Sequence, residues 1–227
     1  MKGLDPAARG GETRGRVFWG QAMLAGEIEK LFTRGDGRFL CARWGRPIVP
    51  VVFGVEEATL SVVKGAIEAL VALAGHKMAE TDPELGANLM VFFFRDWAEL
   101  PQVPNLDRLI PDLGPLCDRL SAQGANQYRA FRFDADGGIR AAFVFLRMDA
   151  HLAAMPAEAL ALAQAAEAML TWGEGAFAAV SPLAEVEGRI ILRPEIAALI
   201  RAAYDPVLPV MAQDASHALR LAARAGA

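Results

Sequence analysis

The sequence is poor in the residues from which most metal and redox sites are built. Its 227 residues include only two cysteines, Cys41 and Cys117, and three histidines. Neither cysteine belongs to a Cys-x-x-Cys pair, and each stands in an apolar stretch of sequence. This pattern predicts two buried thiols in a reducing compartment, because a free cysteine in an apolar setting behaves as a small hydrophobic residue.

The sequence also lacks long apolar runs and dense clusters of basic residues. No run approaches the roughly 18 apolar residues of a membrane span, and the N-terminal region has no apolar segment typical of a signal peptide. A formal net charge of −4 without a Lys/Arg block argues against nucleic-acid binding. We therefore expect a cytoplasmic protein without a membrane span. A secreted or periplasmic protein is the alternative, if the true start of the chain lies further upstream.

Apolar residues are abundant: 54% of the residues are hydrophobic and 22% are charged, which is typical of a globular protein. A chain of this length buries roughly 70–75% of its unfolded surface, so its core needs no metal ion or disulfide. Residues 1–16 are rich in glycine and charge, and they are predicted to form a flexible segment. Residues 17–227 contain no repeat or linker and are predicted to form a single globular domain.

Apolar periodicity and turn residues predict alternating helices and strands. The predicted helices cover residues 17–32, 56–75, 106–121 with an interruption at PDLGP, 156–171, 193–204 and 208–224. The predicted strands cover residues 38–44, 47–54, 87–94 and 188–192, together with a β-hairpin near 127–146. This order predicts an α/β fold, with α+β as the alternative, in which a mixed sheet of about five strands is flanked by about six helices.

The segment DADGG, residues 134–138, joins the two strands of that hairpin and resembles part of a calcium-binding loop. An EF-hand loop also needs a bidentate glutamate at its twelfth position, and counting from Asp134 this position is Phe145. Aspartate and glycine are the residues that a tight turn favours. The segment is therefore predicted to be a turn and not a metal site.

Four segments resemble a known family in their order and spacing. They are RWGRPIVPVVFG (43–54), ANLMVFFF (87–94), the helix at 157–170 and LRPEIAALIRAAYDPVLPVM (192–211). Together they resemble the proteobacterial family called Domain of Unknown Function 2927, over roughly residues 40–212. Many members of that family are predicted secreted proteins or lipoproteins, which motivates the alternative location given above.

The resemblance implies that residues 157–170 correspond to a helix similar to the catalytic helix of zinc metallopeptidases. Gln164 aligns with a glutamine of the family pattern, and Leu160 and Ala161 stand where the family has acids. A zinc-peptidase helix needs two histidines four residues apart with a glutamate beside them, and this helix has no histidine. We therefore expect the scaffold to be retained without metal ligands and without a cofactor.

The weak catalytic candidates are the acids that remain on this helix and the residues just before it. Glu158 and Glu167 are the acids, Gln164 lies between them, and His151 with Asp149 precedes the helix. If they converge in one pocket, Asp149 would orient His151, and a glutamate would share acid–base chemistry with it.

The other two histidines are predicted to be structural. His76 follows a helix end, where a partly charged imidazole interacts well with the helix dipole. His217 falls in line with charged residues at successive spacings of three and four, which predicts a solvated helix face. These charged residues are Asp214, Arg220 and Arg224.

Four further residues, Arg43, Trp44, Tyr204 and Asp205, carry the family likeness and are candidate binding residues. The favoured interpretation is structural: Arg43 and Asp205 form an ion pair at the end of the sheet, and Trp44 packs beneath it. The alternative is a cluster that faces a ligand.

Two functions follow from these observations. The first is a non-enzymatic binding or assembly module with a protein partner, on a degenerate metallopeptidase-like scaffold. The alternative is a peptidase-like hydrolase that uses Glu158 or Glu167 with His151.

Overall fold

A computed structural model describes residues 23–226 of the protein. Its helical segments are, in chain order, α1 (Ala25–Phe32), α2 (Glu57–Leu73), a 3-10 helix (Trp97–Gln102), α3 (Leu106–Leu109), α4 (Leu113–Ala122), α5 (Ala150–Ala153), α6 (Ala157–Ala168), α7 (Pro194–Ala203) and α8 (His217–Ala225). Its strands are β1 (Cys41–Ala42), β2 (Pro50–Phe53), β3 (Leu89–Phe94), β4 (Gln127–Phe133), β5 (Ile139–Arg147), β6 (Leu183–Val186), β7 (Arg189–Leu192) and β8 (Met211–Ala212).

The central sheet has the strand order β2–β3–β5–β4. β2, β3 and β5 are parallel, whereas β4 is antiparallel to β5 and forms a hairpin with it. The predicted α/β class, the mixed sheet and the hairpin near 127–146 are confirmed. The sheet has four strands and not about five, because the predicted strand at 38–44 shortens to β1, which pairs with β8 outside the sheet. Pro50 begins β2, an edge strand, where a missing N–H donor is tolerated.

The helical segments of residues 23–226 number nine and not about six. The helix predicted at 106–121 is divided at its PDLGP segment into α3 and α4. The short helix α5 and the 3-10 helix are additional, since both are stabilised by an aspartate side chain that accepts a backbone N–H of the first turn. No helix in this part of the chain has the length and apolar character needed to cross a bilayer.

Both faces of the sheet are buried, by side chains that alternate along its central strands. Phe92 of β3 and Phe143 of β5 belong to one apolar cluster with α4, α3 and the 3-10 helix. Their neighbours Val91 and Val144 belong to the larger core on the opposite face, with α2, α6 and α7. This explains why residues 87–94 form a continuous apolar run, as expected for a strand covered on both faces.

The turn of the β4–β5 hairpin is fixed by ionic contacts. Asp134 accepts a hydrogen bond from Nη2 of Arg46 at 2.8 Å, and the same guanidinium pairs with buried Asp82 at 3.3 Å. Within the turn, Asp136 accepts the backbone N–H of Gly138 at 3.0 Å. The predicted turn is confirmed, and its carboxylates are engaged by Arg46 and by the backbone N–H of Gly138.

The first predicted helix is described only in part, and the last one begins later than predicted. α1 begins at Ala25; residues 17–22 of the predicted first helix lie outside the described residues, as does the predicted flexible segment 1–16. The last helix was expected from Leu208 but begins at His217. The reason is tertiary, because β8 precedes α8 and pairs its backbone with β1.

Both cysteines are buried, as predicted. Cys41 lies in β1 and is 4% exposed, and Cys117 lies in α4 and is 3% exposed. Burial raises the pKa of the Cys41 thiol to about 12. A thiol that stays protonated at neutral pH is a poor nucleophile and a poor metal ligand.

Helix α6 is buried on almost every side. Its buried residues do not form a single stripe, and most of them are alanines: Ala159, Leu160, Ala161, Ala163, Gln164, Ala165, Ala166 and Ala168. One side of the helix packs against α2 and β5, and another carries the β6–β7 hairpin. The small side chains allow this close packing on several sides. The predicted helix at 156–171 is thus confirmed with a shorter C-terminal end, and Pro156 occupies its N-cap position.

The prediction of a solvated face around His217 is wrong. The His217 side chain is 3% exposed, at the start of α8, which packs against α7 and α1. His217 and Leu221 are one turn apart and are both buried. The pKa of His217 is lowered, first because burial disfavours the imidazolium ion and then because Arg220 and Arg224 repel it.

We predict that the free energy of unfolding decreases as the pH falls below about 6.5, the ordinary pKa of histidine. The folded-state pKa of His217 is lowered, so the unfolded chain takes up a proton first. The contribution of His217 is therefore complete above about pH 6.5 and is lost as the pH falls towards the folded-state pKa. Urea unfolding between pH 7.5 and 5 measures the slope of the free energy of unfolding against pH.

The variant His217→Gln should flatten the slope in part, because the pKa of His76 is also lowered by burial and adds a slope of the same sign. His151→Gln is the matched control, since His151 is exposed. An unchanged slope in His217→Gln would contradict the assignment.

Candidate functional site

Asp149 has a structural role at the start of α5. Its Oδ1 accepts the backbone N–H of Leu152 at 2.9 Å, and its Oδ2 accepts a hydrogen bond from Asn126 at 3.0 Å. Both bonds, the one from Leu152 most strongly, and the nearby Arg147 lower the pKa of the carboxyl group. Asp149 therefore caps a helix and does not orient His151.

His151 and Glu158 have exposed side chains, on α5 and in the first turn of α6. Neither forms an ion pair with another residue in the described range 23–226. The cleft that Glu167 lines contains neither of them. In the same range, no three His, Cys, Asp or Glu residues are grouped so as to hold a metal ion. The structure thus does not bring His151 into the cleft of Glu167, as the hydrolase alternative with Glu167 requires.

Trp44 and Tyr204 complete the C-terminal end of α6. The last carbonyl oxygens of a helix have no intrahelical partner. Here the indole N–H of Trp44 donates to Ala168 O at 2.9 Å, and the hydroxyl of Tyr204 donates to Met169 O at 2.9 Å. Trp44 is completely buried and Tyr204 is 8% exposed. Both residues of the family likeness therefore pack in the core.

Arg43 and Asp205 do not form the predicted ion pair. Asp205 pairs with Nε of Arg224 in α8 at 2.6 Å. The guanidinium of Arg43 lies 5.6 Å from the ring centroid of Tyr204 and donates to Leu208 O at 3.4 Å. The prediction failed because α8 folds back next to the end of α7 and brings a nearer arginine to Asp205.

Gln164 and Glu167 lie on the side of α6 that faces β4. Gln164 donates to Oε1 of Gln127 at 2.9 Å and accepts a hydrogen bond from Arg129. Nη1 of Arg129 pairs with Oε2 of Glu167 at 2.8 Å. We call Gln127, Arg129, Gln164 and Glu167 the Arg129 cluster. Gln164 and Glu167 are three residues apart on α6 and therefore lie on one face of the helix. Gln127 and Arg129 are two residues apart on β4 and lie on one face of the strand, and these two faces meet.

The ion pair of the Arg129 cluster is largely shielded from water. The side chains of Arg129 and Glu167 are 18% and 17% exposed. Burial raises the pKa of Glu167, partly offset by Arg129, and burial lowers the pKa of Arg129, partly offset by Glu167. Nε of Arg129 is buried without a hydrogen-bond partner. Such an unpaired polar atom calls for an explanation, because most buried polar atoms are hydrogen-bonded.

An open cleft of about 470 Å³ lies beside the Arg129 cluster. The cleft runs between the edge strand β4, the second half of α6 and the segment 172–178. Besides polar residues of the cluster, it is lined by four aromatic residues: Tyr128, Phe131, Trp172 and Phe177. At its border, Arg34 donates to Trp172 O at 3.0 Å and lies 3.6 Å from the carboxylate of Glu174. The cleft therefore combines apolar walls with fixed charges.

No protein-family model, no curated protein and no solved structure matches the chain. The resemblance to the Domain of Unknown Function 2927 family stays a prediction.

The sequence interpretation named Gln164 and Glu167 but missed their partners Gln127 and Arg129. The signal lies in the alternation along β4, where Gln127, Arg129 and Phe131 are two residues apart and so share one face. That face is continuous with the buried face of β5. Gln127 and Arg129 are long polar residues on a strand face that a helix covers, so they indicate polar partners on that helix.

We predict that Tyr204→Phe destabilises the protein by about 1–2 kcal/mol, because Met169 O loses its donor inside the core. Guanidinium chloride unfolding measures the change. The matched control is Tyr128→Phe, at the one other tyrosine of the chain, which we expect to alter stability by less than about 0.5 kcal/mol. Equal effects of the two variants would contradict the capping role.

We predict that Arg129→Met and Glu167→Gln each destabilise the protein by about 2 kcal/mol, because each leaves the other partner shielded from water without its counter-charge. The double variant should cost at least about 1 kcal/mol less than the sum of the two single costs. Urea unfolding of the four proteins gives this coupling energy. Strict additivity would mean that the pair is screened by solvent.

Proposed function

We propose that the protein is a non-enzymatic binding or assembly module, and that a segment of a protein partner enters the cleft beside the Arg129 cluster. The observation that supports this most directly is a fixed, shielded ion pair in the lining of an open cleft. Binding sites typically combine apolar walls with a few well-placed polar groups. Because Gln127 and Gln164 already hold the ion pair in place, a partner would not need to order it on binding.

The family resemblance supports the same proposal. If residues 157–170 correspond to a metallopeptidase-like helix, its polar residues Gln164 and Glu167 are used in contacts with β4. A helix with Leu160 and Ala161 in place of the family's acids still packs in the core, which is what a degenerate scaffold with a binding role would need. The family's location would make a secreted or periplasmic protein the alternative to the cytoplasmic location that we propose.

A protein segment is the partner that the lining of the cleft favours. Its charged side chains occur as the pairs Arg129–Glu167 and Arg34–Glu174, so the cleft carries no excess charge of one sign. Nucleic acid would require a basic surface, and we propose no nucleic-acid partner. Aromatic side chains beside paired charges suit a peptide with mixed polar and apolar residues.

A hydrolase that uses Glu167 is the second candidate function. The observation in its favour is the raised pKa of Glu167, because a carboxyl group in a cleft that retains its proton more readily is suited to act as a general acid. Its weakness is that Arg129 occupies the carboxylate and that His151 does not line the cleft.

Site-specific photo-crosslinking in extracts of the native host tests the proposal. A benzophenone amino acid at Ala178, an exposed position that lines the cleft, should capture a defined protein partner. The same group at Ala98, an exposed position of the 3-10 helix, should not. Phe131→Ala should weaken capture at position 178 about tenfold, because aromatic contacts commonly dominate binding energy.

Three results would contradict the binding proposal. They are identical adducts at both positions, no adduct at position 178, or unchanged capture in a folded Phe131→Ala protein. Peptide turnover by the purified protein that is abolished in Glu167→Gln would support the hydrolase instead.

A further inference from the structure

A second pocket, of about 330 Å³, lies at the carboxyl ends of the parallel strands, away from the Arg129 cluster. It is formed by the segment between β2 and α2, the end of β3 and the segment between β5 and α6. None of its lining residues lines the cleft described above. In open α/β sheets, ligands characteristically bind outside the carboxyl ends of the strands.

The inner surface of this pocket is apolar. Val63, Phe93 and Leu160 form its inner part, and Met148 and Met155 lie at its sides, half-exposed. Methionine side chains adapt to the shape of different apolar ligands. Filling the pocket would remove their apolar surface from water, which is favourable in proportion to the area covered.

The wall beside Phe93 is held in place by Gly54. Gly54 has a φ of +81°, and a Cβ atom at this position would overlap the carbonyl oxygen of Phe93. Only glycine adopts this conformation readily and allows the backbone to approach so closely. The pocket wall is therefore built by tight backbone packing, and a ligand does not need to order it.

The polar side chains in the lining are Glu56 and Thr59, at the N-terminal end of α2. Glu56 is exposed and has no ion-pair partner within residues 23–226. The end of the helix contributes about half a positive charge. The carboxylate of Glu56 contributes one full negative charge, which outweighs the helix end, so the mouth of the pocket is negative on balance.

We infer that this pocket binds a small apolar amine, with its hydrocarbon part among Phe93, Leu160 and the two methionines and its ammonium group at Glu56. The apolar interior excludes a strongly hydrated polycation, and the negative mouth disfavours a fatty acid. This inference does not depend on the proposed function, because the two sites share no residue.

Nuclear magnetic resonance of the full chain with ¹³C-labelled methionine methyl groups tests the inference. The probes are hexylamine, hexanol and hexanoate, which have the same six-carbon chain and differ in charge. We expect all three to shift the signals of Met148 and Met155, and we expect hexylamine to bind about fivefold more tightly than hexanol. Hexanoate should bind most weakly.

Two variants distinguish the charge contribution from the cavity. Glu56→Gln should remove the fivefold preference for the amine, whereas Glu68→Gln, an exposed residue further along α2, should retain it. Ala153→Phe, at an exposed position in the lining, should abolish binding of all three probes. Tightest binding of hexanoate, an amine preference that persists in Glu56→Gln, or no shift of either methionine signal would overturn the inference.

Discussion

The last turn of α6 leaves carbonyl oxygens without helical partners inside the core, where water is excluded and an unpaired acceptor is costly. Two aromatic side chains from distant parts of the chain donate to them: Trp44, which precedes β2, and Tyr204, which follows α7. Trp172, just after α6, donates to Ala166 O at 3.1 Å, which also accepts the backbone N–H of Met169. This requirement explains why the segments around Trp44 and Tyr204 meet at the C-terminal end of α6, although neither segment is next to α6 in the sequence.

Burial of α6 also explains where the cleft forms. A helix surrounded by α2, β5 and the β6–β7 hairpin can carry few polar residues, and those that it carries need partners. Gln164 and Glu167 find them on β4, the edge strand, where Gln127 and Arg129 extend from the sheet. Polar atoms are thus concentrated at the one side of α6 that the apolar core leaves open. The cleft and its ion pair therefore have the same cause, which is that the polar residues of a buried helix need partners.

Much of the fold could be predicted because its signals are local. The hairpin near 127–146, the apolar strand at 87–94 and the alanine-rich helix depend on turn residues and periodicity within short windows. The burial of His217 and the choice of Arg224 as the partner of Asp205 depend on how α8 packs, which no window of sequence contains. Of the candidate site, the two residues on α6 could be named, and the alternation along β4 marks Arg129 as a candidate. The pairing of Arg129 with Glu167 could not be predicted, because it depends on how α6 packs on the sheet.

The pairing of β1 with β8 joins residues 41–42 to residues 211–212, near the two ends of the described chain. A contact that spans so much sequence forms slowly, because the closing of a long loop precedes any gain from it. On the ribosome, the N-terminal half of the core would have to wait for the residues after α7 to be synthesised. Helix α6 would remain without its Tyr204 donor during that interval. The nascent chain thus depends for its completed core on residues that emerge only after α7.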